Sequence, residues 1–188
     1  MAGLTAGVDN YRPFLRSADG DVQVTLGGRL HVDYDAVEDG ARTLTGTPLV
    51  DRFLVRRARL ELGGTFFKWI DLSVEAEVTN NPALDDGFLD LRFAPEAALR
   101  IGQFKQPFSL EELTSDNLID FAERSVVNEL APSRDVGARL WGNLLGGVVS
   151  YGVSASNGTG LNTADNNDAK DLNGRLVLAP FKTRVSRG

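Results

Sequence analysis

With 188 residues, 42% of them hydrophobic and 24% charged, the chain has the length and apolar content of one folded domain, which excludes global disorder. A net charge of -6 argues against a nucleic-acid partner, because neutralising phosphates takes a surplus of Lys and Arg. The absence of cysteine excludes a disulfide scaffold and thiolate metal sites, and a single histidine, His31, argues against a histidine metal centre or a Ser-His-Asp triad.

No apolar run approaches the roughly 20 residues of a membrane helix. Met1-Ala-Gly-Leu-Thr has neither the basic segment nor the apolar core of a secretory signal, so for an exported protein the expectation is a leader outside this chain. Sixteen of the 20 basic residues are arginine. Guanidinium forks suit carboxylate and phosphate, and a GC-rich genome produces the same bias.

Val22–Tyr34 alternates with period two: Val22, Val24, Leu26, Leu30, Val32 and Tyr34 share one face, and Gln23, Thr25, Arg29, His31 and Asp33 the other. That exceeds the usual strand of about 5–6 residues and suits a tilted membrane strand of about 9–11. The pattern recurs. Leu54, Ala58, Leu60 and Leu62 oppose Arg57, Arg59 and Glu61; Leu72, Val74, Ala76 and Val78 oppose Asp71, Ser73, Glu75 and Glu77; Leu89, Leu91 and Phe93 oppose Asp90 and Arg92. Leu99 and Ile101 oppose Arg100; Val136, Ala138 and Leu140 oppose Arg139 and Trp141; Val149, Tyr151, Val153 and Ala155 oppose Ser150 and Ser154; Leu172, Leu176 and Leu178 oppose Asn173 and Arg175. About eight strands result, each with an apolar and a polar face.

The connections alternate in length. Residues 35–51, 80–87, 106–135 and 157–171 are long or intermediate, whereas 63–70, 95–98 and 144–147 are shorter. An up-and-down membrane barrel has short turns at one end and long loops at the other. Phe66, Phe67 and Trp69 fall in one turn, where an interfacial aromatic girdle belongs, and Asn157–Asp168 reads as a solvated loop without the acidic spacing of a calcium site.

With the apolar face in lipid, the other lines water. Seven arginines (29, 57, 59, 92, 100, 139, 175) then face six acids (Asp33, Glu61, Asp71, Glu75, Glu77, Asp90). A turn centred on Phe67 sets Arg57 opposite Glu77 and Arg59 opposite Glu75, and a turn through 95–98 sets Asp90 opposite Arg100. Pro107 ends a strand, Ser109-Leu-Glu-Glu is a capping box, and Leu118, Ile119, Phe121 and Ala122 predict a short amphipathic helix before Pro132. Loops this long in compact folds are commonly functional.

Arg100-Ile-Gly-Gln-Phe-Lys-Gln-Pro-Phe-Ser-Leu-Glu-Glu-Leu-Thr-Ser and Phe121-Ala-Glu-Arg-Ser resemble the phosphate-selective porin O and P family of outer-membrane proteins. Leu15–Asp21 with Leu26-Gly-Gly-Arg-Leu, Val55-Arg-Arg-Ala-Arg-Leu-Glu-Leu-Gly-Gly, and Asn157-Gly-Thr-Gly also fit, so the resemblance runs from about Gly7 to Phe181. It implies a homotrimeric, antiparallel barrel of about sixteen strands whose third extracellular loop, here about 106–134, constricts the pore. It also implies pore arginines that bind phosphate, matching Arg56 and Arg57. Strict alternation puts Arg57 in the lumen and Arg56 toward lipid.

The expectation is an all-β, up-and-down transmembrane barrel, partial at about eight strands, with residues 1–188 forming a single domain of its N-terminal portion. It is no enzyme and needs no cofactor or metal. It sits in bacterial outer-membrane lipid, passes small hydrophilic solutes including phosphate or other anions, and contacts them through Arg57, Arg59, Arg100, Lys105 and Arg139. The open edges of such a half-barrel require the remaining strands. Two other readings stay open: a soluble carbohydrate-binding sandwich using Trp141 and Tyr151, and a complete eight-stranded anchor or adhesin barrel without a conducting lumen.

Overall fold

Alternation of apolar and polar residues yields strands, and the computed structural model, which describes residues 3–79, 83–121 and 123–181, joins ten of them into one antiparallel sheet. They are β1 (Leu4–Asp9), β2 (Arg12–Ser17), β3 (Val22–Asp35), β4 (Arg52–Phe66), β5 (Ile70–Glu77), β6 (Ala83–Ala94), β7 (Ala97–Lys105), β8 (Arg134–Leu144), β9 (Val149–Ser156) and β10 (Asp171–Leu178). Each pairs with its sequence neighbour, in the order β1 to β10, so the topology is up-and-down throughout. Within this chain the sheet does not close: β1 and β10 are its edges.

The expected eight strands are β3 to β10. The added N-terminal hairpin, β1 and β2, turns on Asn10 and Tyr11, both at positive φ, and carries Pro13 opposite Val8. Proline is tolerated at the periphery of a sheet, which is where this strand pair lies. Connections between consecutive strands leave from opposite ends of the sheet. One end carries the turns at 18–21, 67–69, 95–96 and 145–148; the other carries 36–51, 78–82, 106–133 and 157–170, with the tight 10–11 turn as its one exception. Phe67 and Lys68, with φ of 52° and 68°, and Trp69 form the three-residue β4–β5 turn, closed by the Phe66–Ile70 pair.

Burial is inverted relative to a water-soluble fold. Leu30, Leu60, Val153, Leu172 and Leu176 are all more than half exposed, while Glu75, Asp85, Asp90, Gln103, Gln106, Arg134, Asp135, Ser154 and Ser156 are buried. The buried hydrophobic residues are only Ala98 and Phe104 among those described. No closed apolar interior gathers Leu60 and Leu176, which a sandwich requires. Charged side chains instead crowd one face, and bare aliphatic side chains cover the other.

Three β-bulges interrupt the alternation: one in the β6–β7 ladder leaves Phe93 extra beside the 95–96 turn, and the other two lie toward the long-loop end. In the β3–β4 ladder His31 pairs with Arg57 and Val32 with Val55, leaving Arg56 as the extra residue. In the β5–β6 ladder Glu75 pairs with Asp86 and Ala76 with Leu84, leaving Asp85 extra. A bulge places two successive residues opposite one, so both can turn to the same face. Arg56 and Arg57 thus stand side by side on the charged face, and so do Asp85 and Asp86. This corrects the assignment of Arg56 to the lipid side. It also moves Leu54 off the apolar face, because Leu54 pairs with Asp33.

Candidate functional site

The charged face of β3 to β6 carries a continuous ionic lattice. Arg59 sits at its centre, 3.1 Å from Glu75, 3.2 Å from Glu77 and 2.9 Å from Asp85. The β4–β5 register sets Arg59 opposite Glu77 and Glu61 opposite Glu75, two positions from the expected pairing of Arg57 with Glu77. The reason is local: the turn is centred on Lys68 rather than Phe67. Arg29 joins Glu61 at 2.6 Å and Glu75 at 2.9 Å, and Arg134 reaches from β8 to Asp86 at 2.9 Å and Glu75 at 3.2 Å. Glu75 therefore binds three guanidiniums, which explains how a carboxylate is buried here at all.

Over this lattice lies the segment between β7 and β8. Its α1 (Leu110–Leu113) starts as expected, with the Ser109 hydroxyl accepting the Glu112 amide at 3.3 Å. The reciprocal half of the capping box is absent, since Glu112 accepts instead from Asn128 and Ser133, both at 2.9 Å. Leu118–Phe121 forms bends rather than the predicted helix, and Ala122 lies outside the described residues. The chain is pinned here by side chains. Asn117 bonds His31 at 3.0 Å, Asp116 lies 3.6 Å from Arg57 and 3.2 Å from Arg59, and Glu123 pairs with Arg56, which also holds Asp33. A loop that leaves from β7 thus crosses the charged face to β3 and β4.

Arg124 and Lys105 hold the loop's own carboxylates. Arg124 meets Asp116 at 2.6 Å and donates to the carbonyls of Glu111 and Thr114. Lys105, at the end of β7, donates to the Glu112 carbonyl and lies 3.4 Å from its carboxylate. Burial works to raise the Asp116 carboxyl, but Arg57, Arg124, Arg59 and Lys105 outweigh it and hold it below the ordinary aspartate range. Glu112 behaves likewise: burial opposes its charge, and Asn128, Lys105, Ser133 and Arg124 prevail.

On β6 to β10 the face is different. Arg100 forks onto Asp90 at 2.6 and 3.0 Å in the expected pairing, stacks 3.7 Å over Phe88, and shares Asp90 with the Trp141 indole N–H at 3.0 Å. Arg139 stands opposite Arg100 on β8, and its buried Nε has no hydrogen-bond partner. Its guanidinium lies over Gly152, where a Cβ would sit 2.8 Å away; only glycine leaves that space. Arg175 stands opposite Gly152 on β10. Trp141 and Tyr151 fall on opposite faces, Trp141 pairing with Gly152 and Tyr151 with Gly142, so they form no common platform.

Of the five arginine and lysine positions singled out in the sequence, Arg57, Arg59 and Lys105 converge around the loop, while Arg100 and Arg139 form a separate pair. Sequence reasoning set Arg56 toward lipid, and it placed Asp116 in the loop and Arg134 near the loop's base without their ion pairs to β4, β5 and β6. The bulge hid the first, and the others are joined by contacts remote in sequence.

The family model for phosphate-selective porin O and P matches residues 24–185. Porin O of Pseudomonas aeruginosa is 32% identical over 178 residues, an alignment covering 88% of this chain and 39% of that protein. The chain therefore spans well under half the length of that relative. An unbroken up-and-down sheet with its charges gathered on one face agrees with the match, and the chain belongs to the phosphate-selective porin O and P family.

Proposed function

We propose that this chain builds part of the wall of an outer-membrane channel through which small hydrophilic solutes, phosphate and other anions among them, diffuse without catalysis. Further strands complete a barrel of about sixteen, three copies associate, and residues 106–134 constrict the lumen. The observation that carries the reading is the crossing of that loop over the charged face, from β7 to Arg56, Arg57 and Arg59 on β4. A loop docked on the lumen side narrows a pore, and selectivity follows from its width and the charges beside it. Arg57, Arg59, Arg100, Lys105 and Arg139 are the solute contacts in this reading. Arg139, which no described carboxylate binds directly, is the most available of them.

The test is conductance of the full-length protein in planar bilayers. Stepwise channel insertion, larger unit conductance after removal of residues 110–130, and reduction of chloride current by phosphate are expected. A folded, membrane-inserted protein that conducts nothing contradicts the channel and favours an anchor.

A further inference from the structure

Asp116 comes from a loop, yet its side chain is only 3% exposed and lies within 3.6 Å of Arg57, 3.2 Å of Arg59 and 2.6 Å of Arg124. Arg57 makes no other ion pair among the described residues, and the second carboxylate near Arg124 is Glu112 at 3.9 Å. Arg59, by contrast, has Glu75, Glu77 and Asp85 besides. Three guanidiniums converging on one carboxylate form the donor set that recognises a small oxyanion, because each planar fork presents paired N–H groups to two oxygens. Here the oxyanion belongs to the protein.

We propose that Asp116 is a tethered counter-anion that fills the site made by Arg57, Arg59 and Arg124, so that a solute anion passes the loop by competing with a built-in carboxylate instead of entering a vacant site. This rests on the channel reading above and deepens it: Asp116 is a specificity-determining residue that lowers retention of phosphate-like anions at the loop. The attachment of the loop does not depend on Asp116 alone, since Asn117 ties to His31 and Glu123 to Arg56. Neutralising Asp116 therefore vacates the site while two other ties remain.

The experiment titrates inorganic phosphate against chloride current through the full-length channel in planar bilayers. Asp116→Asn and Asp116→Ser are expected to lower the half-blocking phosphate concentration at least tenfold and to move the reversal potential in a chloride gradient toward anion selectivity. Asp116→Glu keeps the parent value. Glu123→Gln, which loosens the loop at Arg56 without touching the three arginines, also keeps it. If the neutral Asp116 variants and Glu123→Gln alter unit conductance alike and leave phosphate block unchanged, Asp116 is merely a latch and the inference is overturned. A parent protein without conductance overturns the channel reading itself, a separate failure.

Discussion

On β3 to β6 every arginine meets a carboxylate: Arg29, Arg52, Arg56, Arg57, Arg59 and Arg92 all form ion pairs. On β8 to β10, Arg139 and Arg175 meet none among the described residues, and the acid acting on Arg139 is Asp90, already occupied by Arg100 and Trp141. Both walls come from the same alternating sequence and display arginine on the same face. The difference lies in the partners supplied by bulges and by the loop. Bulges bring Arg56 and Asp85 onto the β4–β6 face, and the loop adds Asp116, Glu123 and Arg124. One wall is thereby neutralised beneath the loop, and the other retains unpaired positive charge on the same face.

The contrast between the walls is largest at Arg59. Arg59→Ala removes a partner from Glu75, Glu77, Asp85 and Asp116 at once, and loss of one partner from a buried ion pair costs about 3–5 kcal/mol. Chemical unfolding of the full-length protein in lipid vesicles, followed by tryptophan fluorescence, is expected to show that loss. Arg139→Ala, on the less neutralised wall, is expected to cost little or nothing. Equal losses at the two sites would erase the distinction between the walls.

A charge on the outward face should be next in size. Leu89, near the middle of β6, is 43% exposed. Leu89→Arg is expected to destabilise the inserted protein by about 2–4 kcal/mol, the cost of arginine near the bilayer midplane. The same measurement on Ser150→Arg, on the opposite face near a strand end, is expected to show a much smaller effect.

Arg139→Ser addresses permeation instead. A unit charge about 4 Å from a solute ion is worth about 1 kcal/mol in water. Phosphate block of chloride current should weaken by roughly fivefold, since about 1 kcal/mol corresponds to that factor. An unchanged blocking concentration would remove Arg139 from the solute path.

The smallest effect concerns pH. Asp116 is held below the ordinary aspartate range when docked, so its contribution to docking is fully present above that range and is lost as pH falls through the lowered value. Unit conductance is therefore expected to stay level from neutral pH down to about 4, the unperturbed aspartate value, and to change only below it. A transition near pH 6 would show that a different group governs the loop.

Much of this architecture is legible in the sequence because a period of two is a strong signal over 12 or more residues. β3 and β4, of 14 and 15 residues, declare both faces, and the alternation of long and short connections declares the up-and-down order. The hairpin of β1 and β2 escaped because each strand has six residues and Pro13 speaks against a ladder. The β4–β5 register slipped by two because Phe67 and Lys68 adopt positive φ without the glycine that marks such turns. Arg56-Arg57 could not be resolved by parity, since a bulge resets parity and leaves no mark in composition. Leu118, Ile119 and Phe121 have helical spacing, but the ties of Asp116, Asn117 and Glu123 to β3 and β4 hold the backbone open, and those ties span 57 to 86 residues of sequence. Local pattern gives the wall; the loop's anchorage is set by distant charge.

Contact of the aliphatic face with hydrocarbon and of the charged face with water is read out by cysteine accessibility, and these 188 residues contain no cysteine of their own. Single cysteines at Leu60, Leu89 and Val153 on one face, and at Asp33, Asp71 and Asn143 on the other, are labelled in vesicle-inserted protein with a membrane-impermeant thiol reagent. Labelling is expected at Asp33, Asp71 and Asn143, with protection at Leu60, Leu89 and Val153. Labelling of the leucine and valine positions with protection of the other three would contradict that orientation of the two faces.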